Sequence, residues 1–132
     1  MDTLWHAELG QYACWNRRTG QRVQSASVGG LLPLLVLPAQ HPHVADLSKK
    51  LNAWLDQAPF GVCSMDPNDA RFDGKRYWRG PSWLIVNFLL IVGLRQSGQT
   101  ALTQRVIDAS FKCIEASGCS EYYHPMTGEP LG

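Results

Sequence analysis

Two stretches of this sequence carry the residue types that do chemistry. The first is Arg76-Tyr-Trp-Arg-Gly-Pro-Ser-Trp83, and the second is Glu121-Tyr-Tyr-His-Pro-Met-Thr-Gly-Glu-Pro-Leu-Gly132. The first combines cations with indoles and a phenol. The second opens on a carboxylate, Glu121, followed by Tyr122 and Tyr123. A carboxylate beside tyrosines and an indole suits sugar chemistry. Aromatic faces stack on the apolar C–H faces of a pyranose ring, and the carboxylate orients or deprotonates a water. Arg79 would pair with an acidic substrate group or fix the carboxylate.

Helical periodicity places the two stretches on one rim. Residues 81–96 are apolar on almost every face, and Pro81 suits a first helical turn. Residues 99–117 carry an amphipathic pattern through Leu102, Val106, Ile107, Ala109, Phe111 and Ile114, and Gly118 is a natural C-terminal cap. The Ser97-Gly98-Gln99 turn makes the two an antiparallel hairpin. The start of the first helix then lies near the end of the second, bringing Tyr77, Trp78 and Arg79 close to Glu121, Tyr122 and Tyr123.

Each group also has a packing role open to it. A carboxylate just after a helix is often a solvated loop charge. Trp83 reads as core, and Arg79 is suited to helix-end carbonyls. Asp66, Asp69 and Asp73 read as turn formers beside Pro67, Asn68 and Gly74. Their spacing is not that of an EF-hand. No Gly-rich phosphate loop or nucleophile elbow is present.

Upstream, Val44, Leu47, Leu51, Trp54 and Leu55 recur at steps of three and four, predicting a helix over 42–57. Residues 2–9 suggest one or two helical turns. Asn16, Thr19 and Gly20 suggest a turn between short extended pieces, and Ser25 or Ser27 a cap for a short helix. Residues 58–77 show no period. A loop that long in a compact domain is functional or disordered, and its aromatics argue against disorder.

Composition bounds the rest. The 132 residues suit one domain, and 45% are hydrophobic, which argues against disorder. With 12 Lys and Arg against 11 Asp and Glu, the charge of +1 leaves no footprint for nucleic acid or an anionic membrane. The run from Trp83 to Leu94 is too short to span a bilayer. The 4 cysteines show no zinc spacing. Without a signal-like leader, reduced thiols in the cytoplasm are the simplest expectation.

Taken together, Phe72-Asp73, Tyr77 to Pro81, Trp83, Asn87, Gly93-Leu94 and Glu121 to Glu129 resemble glycoside hydrolases of family sixty-three. The likeness is to the branch of mannosylglycerate and glucosylglycerate hydrolases. Leu4-Trp5, Gly10 and Tyr12 also look like that family's upstream segment, so the likeness covers nearly the whole chain. The resemblance implies an all-α fold, part of a toroid of six helical hairpins, (α/α)6, and incomplete here. It implies inverting hydrolysis of a glycosidic bond, with Glu121 matching the general base. Tyr77 and Trp78 match positions lining the sugar and aglycone pocket, with Arg79 beside them; Tyr122 and Tyr123 complete the expected binding set. The implied ligand is a carbohydrate or glycosylated small acid, with no cofactor and no metal. Inverting enzymes place the two carboxyls about 6.5–9.5 Å apart to admit water. The family's general acid is an Asp on a loop that matches nothing in this chain. The expectation is a domain that is inactive alone, or else a carbohydrate-binding or helical oligomerisation module. Partial toroids expose apolar faces, which predicts a homodimer hiding residues 28–37 and 81–94.

Overall fold

The computed structural model describes residues 2–132. Three helices dominate: α1 (Pro42–Gln57), α2 (Leu84–Gln96) and α3 (Thr100–Ser117). They are joined by three two-stranded antiparallel ladders: β1 (Trp5–His6) with β2 (Gln11–Tyr12), β3 (Trp15–Asn16) with β4 (Gln21–Arg22), and β5 (Tyr122–Tyr123) with β6 (Pro130–Leu131). The all-α expectation is therefore met only in part. Asn16 shows why the chain turns locally: its side-chain oxygen accepts from the N–H groups of Arg18 and Thr19. That bond offers the backbone an alternative to a helix.

The α1 stripe packs as its spacing predicts: Val44, Leu47, Leu51, Trp54 and Leu55 are all buried. Each such side chain contributes about 1.5–3 kcal/mol through apolar burial. His41 caps α1, its ring nitrogen accepting from His43 N–H, and Pro42 follows where a missing N–H costs nothing. At the N-terminal end of the chain, residues 2–9 hold a single 3-10 turn (Asp2–Leu4) before β1. Ser27 precedes the short 3-10 turn Val28–Gly30 without a side-chain capping bond.

The antiparallel α2–α3 hairpin is present, with one correction at its start. The helix begins at Leu84, not at 81. Ser82 exchanges both backbone hydrogen bonds with Tyr123, at 2.9 Å each, and also bridges Cys63. A backbone pair used laterally cannot also enter a helix. Residues 81–83 therefore run extended, and Trp83 caps the helix.

The second correction concerns apolar faces. Residues 28–37 and α2 pack largely on each other. Leu31, Leu34, Leu90 and Leu94 are fully buried, and a Cβ on Gly93 would lie 2.7 Å from the Leu34 carbonyl carbon. Only glycine allows that approach. What stays exposed is narrower: Val36, Ile85 and Phe88, with Phe111 on α3. Phe111 thus lies off the buried stripe, where Leu102, Val106, Ala109 and Cys113 make the contact.

Candidate functional site

The loop from Ala58 to Trp83 is built on carboxylate-capped turns. Asp66, Asp69 and Asp73 accept from the N–H groups of Asn68, Arg71 and Lys75 at 2.9, 2.9 and 3.0 Å. Asp66 also pairs with Lys50 at 3.2 Å and Asp69 with Arg71 at 2.7 Å. Bonding from Arg71 holds the Asp69 carboxyl down at about 2. These acids are thus spent on turns, and no cluster fit for a metal ion occurs among the described residues.

The loop closes on itself and then on the C-terminal tail. Asp73 N–H donates to the Arg79 carbonyl at 2.8 Å, and Gly80 lies so close to Asp73 that a Cβ would strike its backbone. Lys75 reaches Glu129 at 2.8 Å, a hydrogen bond that lowers the Glu129 carboxyl's pKa. Ser82 pairs with Tyr123 beside it. Two connections separated by the whole α2–α3 hairpin therefore form one rim.

On that rim Tyr77 Oη donates to Glu121 Oε1 at 3.0 Å. The carboxylate raises the Tyr77 phenol above its usual range, mainly through this hydrogen bond, with desolvation and the nearby charges of Glu121 and Tyr122 adding. Glu121 is exposed, and its second oxygen takes no hydrogen bond among the described residues. Around it stands a ring cluster. Trp83 stacks on Trp78 at 4.5 Å and 7°, and on Tyr122 at 4.7 Å and 25°. Tyr77 meets Trp78, Trp83 and Tyr122 edge to face, at centroid distances of 6.1, 4.7 and 5.3 Å. Such contacts contribute about 0.5–1.5 kcal/mol each beyond area burial. Tyr77 and Trp78 remain about half exposed, at 47% and 50%, so the cluster offers ring surface to solvent.

Two expected site residues sit differently. Tyr123 is fully buried, and its hydroxyl donates to the Gly118 carbonyl at 2.6 Å while accepting from Ser120 N–H at 2.8 Å. It has no face for a ligand here; its place is structural, beneath the rim. Arg79 does not touch Glu121: its Nε donates to the Arg71 carbonyl at 3.3 Å, and it has no carboxylate partner among the described residues. Trp83, which reads as core in the sequence, is indeed buried but also joins the cluster: its indole N–H donates to the Tyr77 carbonyl at 3.2 Å. No sequence signal marks that bond, since the local pattern starts the helix at 81 and the cap at Trp83 emerges only from the structure.

A concavity of about 650 Å³ lies elsewhere, between Ser48, Lys49 and Asn52 of α1 and Gln99, Thr100 and Arg105 at the turn end of the hairpin. At the aromatic rim, Tyr77 and Trp78 present ring surface to solvent.

The whole chain, residues 1–132, matches the family model described as the mannosylglycerate hydrolase MGH1-like glycoside hydrolase domain. It is 40% identical over 131 residues to mannosylglycerate hydrolase MGH1 of Selaginella moellendorffii, covering 99% of this chain and 27% of that protein. It is 32% identical to the mannosylglycerate hydrolase of Thermus thermophilus, covering 32% of its length. A crystal structure of the GH63 mannosylglycerate hydrolase from Thermus thermophilus in complex with glucose superposes with a TM-score of 0.93 over 99% of this chain and 31% of that one. Neutral trehalase Nth1 from Saccharomyces cerevisiae shares the fold at 18% identity, with a TM-score of 0.76. The chain thus spans about a third or less of these relatives' length and corresponds to part of a six-hairpin glycosidase architecture. It belongs to the MGH1-like glycoside hydrolase family.

Proposed function

We propose that this chain supplies the general-base side, and one aromatic wall, of an inverting glycosidase site for a hexose linked to glycerate, such as mannosylglycerate or glucosylglycerate. The observation that carries this reading is the 3.0 Å bond from Tyr77 to Glu121 inside the ring cluster. With Oε1 held, Oε2 is left to take a proton from water. The water oxygen then bonds to the anomeric carbon as the bond from that carbon to the leaving oxygen breaks, and an acid protonates the leaving oxygen. Trp78, Tyr77 and Tyr122 present ring surface to the sugar, and the terminal nitrogens of Arg79 suit the glycerate carboxylate.

No acid for that last step stands beside Glu121 among the described residues. Asp73 is committed to a turn and Glu129 to Lys75. The chain alone therefore binds without turning over, and the acid comes from the remainder of the architecture. Calorimetric titration of the chain with mannosylglycerate and glucosylglycerate tests this. Binding of one of them, weakened about tenfold by Trp78→Ala through loss of a stacking face, is the expected result. No binding at millimolar ligand, or binding indifferent to Trp78, contradicts it.

In the same reading a second copy covers Ile85, Phe88 and Phe111, the exposed apolar residues of the hairpin. Sedimentation at high micromolar concentration should read a dimer that Phe88→Glu dissociates; a monomer counts against it. The four cysteines are free thiols, consistent with the reducing, cytoplasmic setting proposed for the chain. Burial pushes Cys63 up to about 12 and Cys113 up to about 11, which keeps both thiols protonated. No helix among the described residues is long and apolar enough to cross a membrane.

A further inference from the structure

Tyr77 is the one non-glycine among the described residues with positive φ, at +30°. An L side chain there is crowded against its own backbone, so the conformation persists only where surroundings enforce it. On either side the chain is pinned by backbone bonds, Arg76 N–H to the Asp73 carbonyl at 3.0 Å and Arg79 N–H to the Arg76 carbonyl at 2.7 Å. The Tyr77 carbonyl itself has one partner among the described residues, the indole N–H of Trp83. That indole is a fixed reference point. Its backbone sits at the N-cap position of α2 and follows Ser82, which is tied to Tyr123, and its ring stacks against both Trp78 and Tyr122. Tyr122 in turn adjoins Glu121. The contacts close a circuit: Trp83 to the Tyr77 backbone, the Tyr77 phenol to Glu121, and the ring next to Glu121 back to Trp83.

We propose that Trp83 is a positioning residue for Glu121, acting through Tyr77: its indole N–H holds the left-handed backbone at 77 that aims the phenol at the carboxylate. This rests on the reading of Glu121 as the base. It assigns Trp83 a role apart from packing. A ring of similar shape without the donor should keep the stack but release Tyr77 toward an ordinary backbone, turning the phenol away from Glu121.

The test is the ionisation of Tyr77 in the chain itself, followed site by site with tyrosine labelled at the phenolic carbon. The usual phenol value is 10.0, and contact with Glu121 places Tyr77 above it. Glu121→Gln should bring Tyr77 back toward that value. Replacing Trp83 by its sulfur isostere benzothienylalanine, which keeps the bicyclic shape and loses the N–H, should do the same, and the pair of changes should add nothing further. Trp83→Phe gives a genetically encoded comparison; because the isostere preserves shape, loss of fold in the Phe variant leaves the test intact. A merely structural role would lower stability while the isostere left the Tyr77 titration at its wild-type position. That result, with Glu121→Gln still shifting it, overturns the proposal alone. If neither change moves Tyr77, the Tyr77–Glu121 contact is wrong, and the base-side reading falls with it.

Discussion

Glu121→Gln should cost about 10²–10⁴-fold in kcat in an assembled site, with KM changing by no more than a few-fold. The assay places this chain in the matching segment of the Selaginella moellendorffii hydrolase, to which it is 40% identical over 131 residues, and compares that hybrid with and without the substitution. Gln has the volume of Glu, and its amide oxygen still accepts from Tyr77 Oη. The ring wall and the loop geometry therefore stay, and ground-state binding stays with them. What is lost is the ability to take a proton from water as it attacks. General-base assistance acts in the transition state, so the loss falls on kcat. A drop of less than tenfold in an active hybrid contradicts the assignment, and an equal rise in KM without change in kcat would make Glu121 a binding group only.

The largest effect on stability is expected at Asn87→Leu. Asn87 is fully buried one turn inside α2. Its Oδ1 accepts from Val62 N–H at 3.2 Å, and its Nδ2 donates to Ser82 Oγ at 3.2 Å and Ser110 Oγ at 3.0 Å. It thereby ties the long loop to both helices of the hairpin. Leucine fills similar space but leaves the Val62 N–H unpaired and removes a partner of Ser82. A buried donor left unsatisfied costs about 1–3 kcal/mol, and the lost bonds bring the expected total to about 2–4 kcal/mol. Urea denaturation should show a lower midpoint at unchanged slope. A change below about 1 kcal/mol would mean that the loop is held mainly by other contacts. Because Ser82 precedes Trp83, the same variant should also loosen the rim.

How much of this is legible in the sequence follows from the range of the forces involved. Helices α1 and α3 are written in periodic apolar residues, a local signal. The hairpin between α2 and α3 needs only that signal and a turn, so the meeting of Tyr77 with Glu121 and Tyr122 follows from the sequence, whereas the position of Arg79 does not. The start of α2 does not: Pro81 and Ser82 suit a helix locally, and only the distant pairing of Ser82 with Tyr123 pulls them out of it. Tyr123 escapes a local reading for the same reason. Strand alternation sends Tyr122 and Tyr123 to opposite faces, so only one reaches the rim, and the register that decides which is set by Pro130 and Leu131. The exposed face of α2 is hidden because its apolar composition is nearly uniform, leaving no period to separate buried Leu90 and Leu94 from exposed Ile85 and Phe88. The bond from Trp83 to Tyr77 depends on a positive φ at a tyrosine, which no residue type announces.

The placement of the sugar at this rim is open to a direct reading in solution. Mannosylglycerate or glucosylglycerate titrated into the uniformly ¹⁵N-labelled chain should shift the indole resonance of Trp78 and the backbone amides of 77–79 and 121–122, together and with one affinity. The amides around Lys49, Asn52 and Arg105, which line the concavity between α1 and the turn end of the hairpin, should stay in place. Shifts confined to that concavity, or none anywhere at saturating ligand, would contradict the account.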